Sequence, residues 1–159
     1  SLGRIHTGFR RIADGIINPL AVDAVQQINP NKPCYVSGHS LGSALATILA
    51  LDIALAVPEL QPKLQVYVYA SPRVGNPEFV RSYAEILPNT FRITNLADPI
   101  PTMPPTKLRA EFVHVGEEWA FVTQGGDILP NHIVDTYRRA VNAEVETNQM
   151  RNFPISGVV

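Results

Sequence analysis

The chain of 159 residues contains a single cysteine, Cys34. One cysteine excludes an intrachain disulfide and any metal site built on two or more thiolates. The histidines and carboxylates also lack metal-binding spacing, because no H-E-x-x-H sequence occurs. We therefore predict that the protein uses no metal and no other cofactor. Since Cys34 lies in an apolar run, we expect it to have a packing role.

The sequence has little excess charge of either sign. Its 13 Lys and Arg residues and 14 Asp and Glu residues give a formal net charge of −1. Such a balance offers no broad basic surface, so we expect no nucleic-acid partner. Hydrophobic residues make up 45% of the chain and charged residues 17%, which favours a folded protein over disorder. The length predicts a single domain over residues 1–159, with residues 147–159 as a loose tail.

The chain also lacks the usual signals of membrane insertion. Its first residues, Ser1-Leu2-Gly3-Arg4, contain no apolar segment of a secretory signal. The longest apolar run, residues 41–57, contains Asp52 and many small residues, which is typical of a buried helix. These observations leave the compartment open.

The sequence Gly38-His39-Ser40-Leu41-Gly42 matches the G-x-S-x-G pattern of a nucleophile elbow, a sharp turn from a strand into a helix. In an elbow the serine has a strained backbone that exposes its hydroxyl, and we expect side chains at either glycine to collide with neighbouring elements. The backbone amide of Leu41, in the first helical turn, is predicted to be an oxyanion donor. The alternative is an ordinary glycine-flanked turn with an inert serine.

Apolar runs and turn residues alternate along the chain, which predicts an α/β fold with a mostly parallel sheet flanked by helices. After an extended lead-in at residues 5–9, we expect a short helix or turn and then a helix from about residue 19. The proline-rich residues 98–105 are expected to form no regular structure. The further predicted strands are 34–36, 64–70, 90–95, 111–115 and 118–122, the last two joined at Gly116; the further helices are 41–57, 77–87 and 131–146, the last capped by Asn131.

A nucleophilic serine needs a general base, and the base needs an acid that orients it. In elbow hydrolases these residues follow in the order Ser, Asp or Glu, His. Asp98 is the predicted acid because it follows a strand at the carboxyl edge of the sheet, where open α/β sheets place their sites. An Asp-Pro turn is the alternative for Asp98, and Asp127 is the second candidate acid. Asp52 lies too close to Ser40 in sequence.

His132 is the predicted base among the four histidines. It follows Asp98 at a junction between a loop and a helix, from which an imidazole can reach the sheet edge. His6 and His39 precede the serine, and His114 lies among apolar neighbours where a hydrogen-bonded structural role is expected. The pattern predicts acyl transfer from an ester, in which His132 takes the proton of Ser40 and water later releases the acyl group.

Several motifs, in this order, resemble the class 3 lipases, the fungal triacylglycerol lipase type that also includes plant acyl hydrolases. The resemblance covers nearly all of residues 5–140. It implies an α/β-hydrolase fold and hydrolysis of lipid esters at a lipid–water interface, in a family that is often extracellular. It places Ser40, Asp98 and His132 on the family's triad and Leu41 on one oxyanion amide. The motifs are Ile5-His6-Thr7-Gly8-Phe9, Gly38-His39-Ser40-Leu41-Gly42, Ser71-Pro72-Arg73-Val74-Gly75-Asn76, Asn95-Leu96-Ala97-Asp98-Pro99-Ile100-Pro101 with Pro104-Pro105, Phe112-Val113-His114-Val115-Gly116, and His132 before Tyr137.

The resemblance also implies that this chain lacks the early strands, the lid helix and the second oxyanion donor of its relatives. We therefore expect the strand that begins at Cys34 to be an exposed edge, covered by another segment, a second copy or a partner chain. Loss of one oxyanion donor predicts activity lower by about 10²–10³-fold for the chain alone. Ser43 stands where many relatives have glycine, and we expect little effect. The alternative function is a non-catalytic binding or scaffold protein; transfer of the acyl group to an alcohol instead of water is a third.

Overall fold

Short runs rich in β-branched and aromatic residues form a four-stranded sheet in the computed structural model, which describes residues 1–105 and 111–146. The order in the sheet is the order in the chain, and every neighbouring pair is parallel. Each connection therefore crosses from one end of the sheet back to the other. The prediction of a mostly parallel α/β sheet is confirmed. The strands are β1 Cys34–His39, β2 Leu64–Tyr69, β3 Thr90–Asn95 and β4 Glu117–Phe121.

Helices fill the connections between the strands. The α-helices are α1 Thr7–Ile12, α2 Asn18–Val25, α3 Leu41–Ala56, α4 Pro77–Ile86, α5 Ile128–His132 and α6 Val134–Glu146. A π-helical turn, Ala13–Ile17, joins α1 to α2, and 3₁₀ turns lie at Pro58–Lys63 and Ile100–Thr102. None of the helices in the described ranges is long and apolar enough to cross a membrane.

The sheet is covered on both faces. Alternate residues of β2 point to opposite sides, so that Val66 and Val68 join the core under α3, while Tyr67 and Tyr69 pack with Tyr137 of α6. The small residues of α3, among them Ala46 and Ala50, allow this buried helix to approach the strands closely. All six residues of β3 are buried, as expected of a strand with helices on either side.

Several predicted elements differ in the structure. Residues 111–115 do not form a strand; Val113 makes one isolated bridge to Gly75. Because β4 runs parallel to β3, the segment before Gly116 has to carry the chain back to the start of the sheet and cannot form a hairpin with β4. Near the N-terminus, helix begins at Thr7, within the predicted extended lead-in. The helical path then continues through Pro19, the second residue of α2.

Two further predictions fail at the carboxyl end of the sheet. The proline-rich residues 98–105 contain a 3₁₀ turn at Ile100–Thr102, because a turn this short needs few amide donors. The last predicted helix is two helices, and its start is capped by Asp127, whose Oδ1 accepts from the amide of Ile128 at 2.6 Å. Asn131 is buried inside α5, where its side chain bonds to other loops. The predicted tail, residues 147–159, lies outside the described residues.

Candidate active site

The turn from β1 into α3 has the predicted elbow geometry. Ser40 has φ 57° and ψ −127°, a left-handed backbone conformation that is rare for residues other than glycine. Its amide donates to the carbonyl of Tyr69 at 3.0 Å, which fixes the turn against β2. A Cβ atom at Gly38 would lie 2.1 Å from the carbonyl oxygen of Gly42, so only glycine fits there.

The expectation that Gly42 also needs to be glycine for lack of space is wrong. A Cβ atom there would meet no described atom within 4 Å, because this residue faces outward from the first turn of α3. Ser43, for which we expected little effect, is buried and takes part in the elbow. Its Oγ lies 2.7 Å from the carbonyl oxygen of Gly38 and 2.6 Å from that of Tyr69. A glycine at position 43 would provide no such hydroxyl.

The three predicted catalytic side chains lie in one hydrogen-bonded line. His132 Nε2 lies 2.8 Å from Ser40 Oγ, and His132 Nδ1 lies 2.8 Å from Asp98 Oδ2. Because an ionised carboxylate can only accept, Nδ1 carries the proton and Nε2 is left to accept the proton of the serine. The side chain of Asp98 is fully buried, whereas that of His132 is 19% exposed.

Tyr137, to which sequence reasoning gave no role, holds the carboxylate of Asp98. Its hydroxyl donates to Asp98 Oδ2 at 2.7 Å and accepts from the amide of Asn95 at 3.2 Å. Burial, and to a smaller extent the hydrogen bond to Asp98, raises the pKa of the Tyr137 hydroxyl far above its usual value. The hydroxyl therefore keeps its proton and remains a donor. The other carboxylate oxygen of Asp98 accepts from the amide of Ile100 at 2.9 Å. The only sequence signal was its place in the family motif of His132 before Tyr137.

Asn95 joins the loops that carry the acid and the base. Its side-chain amide donates to the carbonyl of Thr123 at 2.9 Å and to that of Asn131 at 3.0 Å. Its side-chain oxygen accepts from the amides of Thr123 and Ala97 at 3.0 and 3.2 Å. This fully buried side chain therefore fixes the end of β3 to the segment that presents His132. Sequence reasoning placed Asn95 at the end of a strand and at the start of a family motif, and gave it no role.

The other candidate carboxylates have different partners. Asp127 caps α5, and Asp52 bonds to Arg10 at 3.0 Å. Within the described ranges, no group of three or more His, Cys, Asp or Glu side chains is arranged to hold a metal ion.

The other three histidines do not occupy the position of a general base. His6 packs against Phe9 and Phe112, away from the elbow. Burial, with the positive charges of Arg92 and Arg73, lowers the pKa of His114 to about 4. Its Nδ1 has no partner among the described residues, so the expected full hydrogen bonding of this histidine is wrong. His39 lies beside His132, with ring centroids 4.8 Å apart.

Comparison with known protein families shows to which family this chain belongs. The family model described as Lipase (class 3) matches residues 1–108, more than half of the chain. This protein belongs to the class 3 lipase family. The matched range contains Ser40 and Asp98, and His132 follows it.

Fungal lipases are among the relatives of this class 3 lipase family member. The secreted mono- and diacylglycerol lipase A of Penicillium cyclopium is 38% identical over 113 residues, 71% of this chain and 34% of that protein. The lipase of Rhizopus niveus is 33% identical over 121 residues, 73% of this chain and 30% of that protein. The chain therefore spans about a third of the length of these curated relatives.

Solved lipase structures share the fold. The Rhizomucor miehei lipase propeptide complex aligns with a TM-score of 0.68 at 31% identity, over 75% of this chain and 39% of that chain. A triacylglycerol lipase described as having a serine protease triad at its catalytic centre aligns with a TM-score of 0.67 at 31% identity, over 79% of this chain and 46% of that one. The α/β-hydrolase fold predicted for this member of the class 3 lipase family is thereby confirmed.

Proposed function

We propose that this chain carries the catalytic residues of a serine hydrolase that cleaves carboxylic esters of lipids. The observation that carries the proposal is the continuous hydrogen-bonded line from Ser40 through His132 to Asp98. Membership of the class 3 lipases supports it. The names of the relatives, mono- and diacylglycerol lipases among them, support the choice of lipid esters.

The reaction begins when His132 Nε2 accepts the proton of Ser40 and the serine oxygen attacks the ester carbonyl. The carbonyl oxygen becomes an oxyanion, which accepts a hydrogen bond from the amide of Leu41 at the start of α3. Asp98 stabilises the imidazolium and keeps Nδ1 protonated. When the tetrahedral intermediate collapses, the bond to the leaving alcohol breaks and His132 returns the proton to that alcohol. Water then attacks the acyl-enzyme by the same route, which releases the acid and restores Ser40.

Apolar side chains around the proposed triad favour a lipid-like substrate or a lipid–water interface. Exposed large apolar residues follow Ser40, lie two residues before Asp98, and flank His132 on both sides. A soluble polar substrate would not require such a surface, whereas acyl chains bury apolar area against it. These residues are Leu41, Leu96, Ile128, Leu129, Ile133 and Val134.

The serine at position 37 provides a matched control for the proposed nucleophile. Ser40→Ala should abolish both covalent labelling by a fluorophosphonate and turnover of a short-chain nitrophenyl ester, because the acyl-enzyme cannot form. Ser37→Ala removes an exposed hydroxyl three residues earlier in β1 and should leave labelling intact. Labelling that survives in Ser40→Ala would refute the assignment. A well-folded wild-type chain that is never labelled would favour the non-catalytic binding or scaffold alternative.

We also propose that another strand, from a further segment of the gene product or from a second copy, pairs with the outer edge of β1. Within the described residues, β1 has β2 as its one neighbour, and Tyr35 on β1 is 49% exposed. A cavity of about 450 Å³ adjoins this edge, between β1 and α6. An uncovered edge strand with apolar side chains favours pairing with another chain.

The Penicillium and Fusarium relatives are named as secreted lipases. We propose that this protein is also secreted. Detection of the full gene product in the culture medium of its source cells would test this proposal. Retention of the product inside the cells would contradict it.

A further inference from the structure

His39 contacts the backbone of the proposed base from the residue next to the nucleophile. It is the last residue of β1, directly before Ser40. Its Nε2 lies 2.6 Å from the carbonyl oxygen of His132. Its ring centroid lies 4.8 Å from that of His132 and 5.6 Å from that of Tyr137, and the planes of the His39 and Tyr137 rings are inclined at 74°. The imidazole therefore touches both the backbone and the ring of His132.

The carbonyl of His132 needs a donor from outside its own helix. The five-residue helix α5 ends at His132, and Ile133 leaves the helical path with φ −64° and ψ 147°. Carbonyls in the last turn of a helix have no partner inside that helix. Since a carbonyl oxygen can only accept, Nε2 of His39 donates, and this requires the Nε2–H form of its ring. Burial lowers the pKa of His39, in keeping with a neutral ring.

A five-residue helix is too short to be rigid without tertiary contacts. The bonds of the His132 ring to Ser40 and Asp98 orient the imidazole, and the Asn95 side chain holds the backbone at Asn131, but these bonds leave the carbonyl of His132 itself without an anchor. His39 provides that anchor from the strand that also carries the nucleophile. The distance between Ser40 and His132 is then set by two adjacent residues, one holding the backbone of the base and the other bonding to its ring.

We propose that His39 is a positioning residue, which holds His132 at the distance and orientation that proton transfer from Ser40 requires. The inference rests on the function proposed above. His39 itself touches no reacting atom in this scheme. The titratable and charged groups around it are His132, Asp98 and Tyr137, with Tyr69 and Arg138 lining the same cavity.

Two substitutions separate the hydrogen bond from the ring. His39→Phe keeps an aromatic ring beside His132 but removes the donor, whereas His39→Gln places an amide donor near the position of Nε2 without a ring. We expect kcat for a short soluble ester to fall by about 10–100-fold in His39→Phe, with KM within twofold, because a small misplacement of a catalytic group lowers the rate steeply. His39→Gln should recover most of that loss. His6→Gln, a change at a histidine remote from the elbow, is the control and should behave as wild type.

Three kinetic outcomes would overturn the proposal. One is wild-type kcat in His39→Phe, and another is an equal loss in both variants, which would assign the effect to ring packing. The third is a rise in KM alone.

Nitrogen-15 NMR of the histidine rings tests the same point in the 159-residue chain without turnover. We expect His39 to be neutral and in the Nε2–H form at pH 7, and His39→Phe to shift the low-field Nδ1–H signal of His132 while His6→Gln does not. An Nδ1–H or protonated His39, or an unchanged His132 signal in His39→Phe, would overturn the inference. Absence of labelling at Ser40 in the wild type would instead refute the proposed hydrolase, and the NMR result would still decide the role of His39.

Discussion

At the scale of single residues, Tyr137 has two roles that one substitution can remove together. Tyr137→Phe would leave the amide of Asn95 without its acceptor and would remove one of the three donors to the carboxylate of Asp98. We expect the free energy of unfolding to fall by about 1–3 kcal/mol, as for other buried groups that lose a partner. We also expect kcat to fall, because Asp98 would hold the imidazole less firmly.

Tyr83→Phe is the matched control for that prediction. Tyr83 is as deeply buried as Tyr137, but it lies in α4 and its hydroxyl is 3.5 Å from the hydroxyl of Thr90. Chemical denaturation and ester turnover measured on both variants separate the effects. Stability can fall in both, but turnover should fall in Tyr137→Phe alone. Equal turnover in the two variants would show that the contact between Tyr137 and Asp98 contributes only to the fold.

His114 predicts how stability depends on pH. Its pKa is about 4 in the folded chain, below the value of about 6.5 for an exposed histidine, because burial and the nearby Arg92 and Arg73 disfavour the charged ring. Between these two values the unfolded chain binds more protons, so the free energy of unfolding falls as pH falls from 6.5 to 4, by about 3 kcal/mol at most. Above pH 6.5 this contribution is constant.

Denaturant titrations at several pH values in that window would measure the slope. His114→Gln carries no titrating ring. Its plot of unfolding free energy against pH should therefore be flatter than that of the wild type between pH 6.5 and 4, and the two plots should be parallel above pH 6.5. Identical slopes for the two proteins would show that other groups cause the acid sensitivity.

At the scale of secondary-structure elements, the two glycines of the elbow predict opposite outcomes. In Gly38→Ala the new Cβ would lie 2.1 Å from the carbonyl oxygen and 2.4 Å from the carbonyl carbon of Gly42, so β1 and α3 would have to move apart. We expect this variant to lose Ser40 labelling and to be strongly destabilised. Gly42→Ala meets open space in the first turn of α3 and should stabilise the helix by up to about 1 kcal/mol.

Thermal unfolding and fluorophosphonate labelling of the two variants provide the comparison. Wild-type labelling in Gly38→Ala would show that the elbow tolerates a wider turn. A large loss of stability in Gly42→Ala would show that the outward face of α3 is covered in the native protein.

Elements with a strong local pattern were predictable from the sequence, and elements set by distant contacts were not. The first three strands and α3 carry apolar runs bounded by turns, and each lies close to its predicted place. The segment at residues 111–115 reads as a strand by composition, yet it finds no partner strand because the parallel register of β4 leaves it to cross the sheet. The junction between α5 and α6 depends on bonds from Asn131 to Gly125 and Ala97, which no local sequence pattern encodes.

The same division holds for the candidate site. The chain order of serine, acid and base selects Ser40, Asp98 and His132. Ser40 and Asp98 each lie within hydrogen-bond distance of His132, and the catalytic role of the three stays a prediction. Tyr137, Asn95 and His39 act through contacts between residues far apart in the chain. The family motifs contain all three residues, but a single sequence does not show which distant groups they contact, so their supporting roles emerged only from the structure.

At the scale of the whole molecule, the outer edge of β1 predicts association. We expect the wild-type chain to sediment as a species heavier than a monomer at micromolar concentration, because an uncovered, partly apolar edge pairs with other strands. Tyr35→Lys places a charge on that edge and should shift the chain towards monomer. Leu55→Lys, at an exposed apolar residue of α3 away from the edge, should not. A wild-type chain that is monomeric at every concentration and turns over esters at full rate would contradict both the expected association and the expected loss of activity in the chain alone.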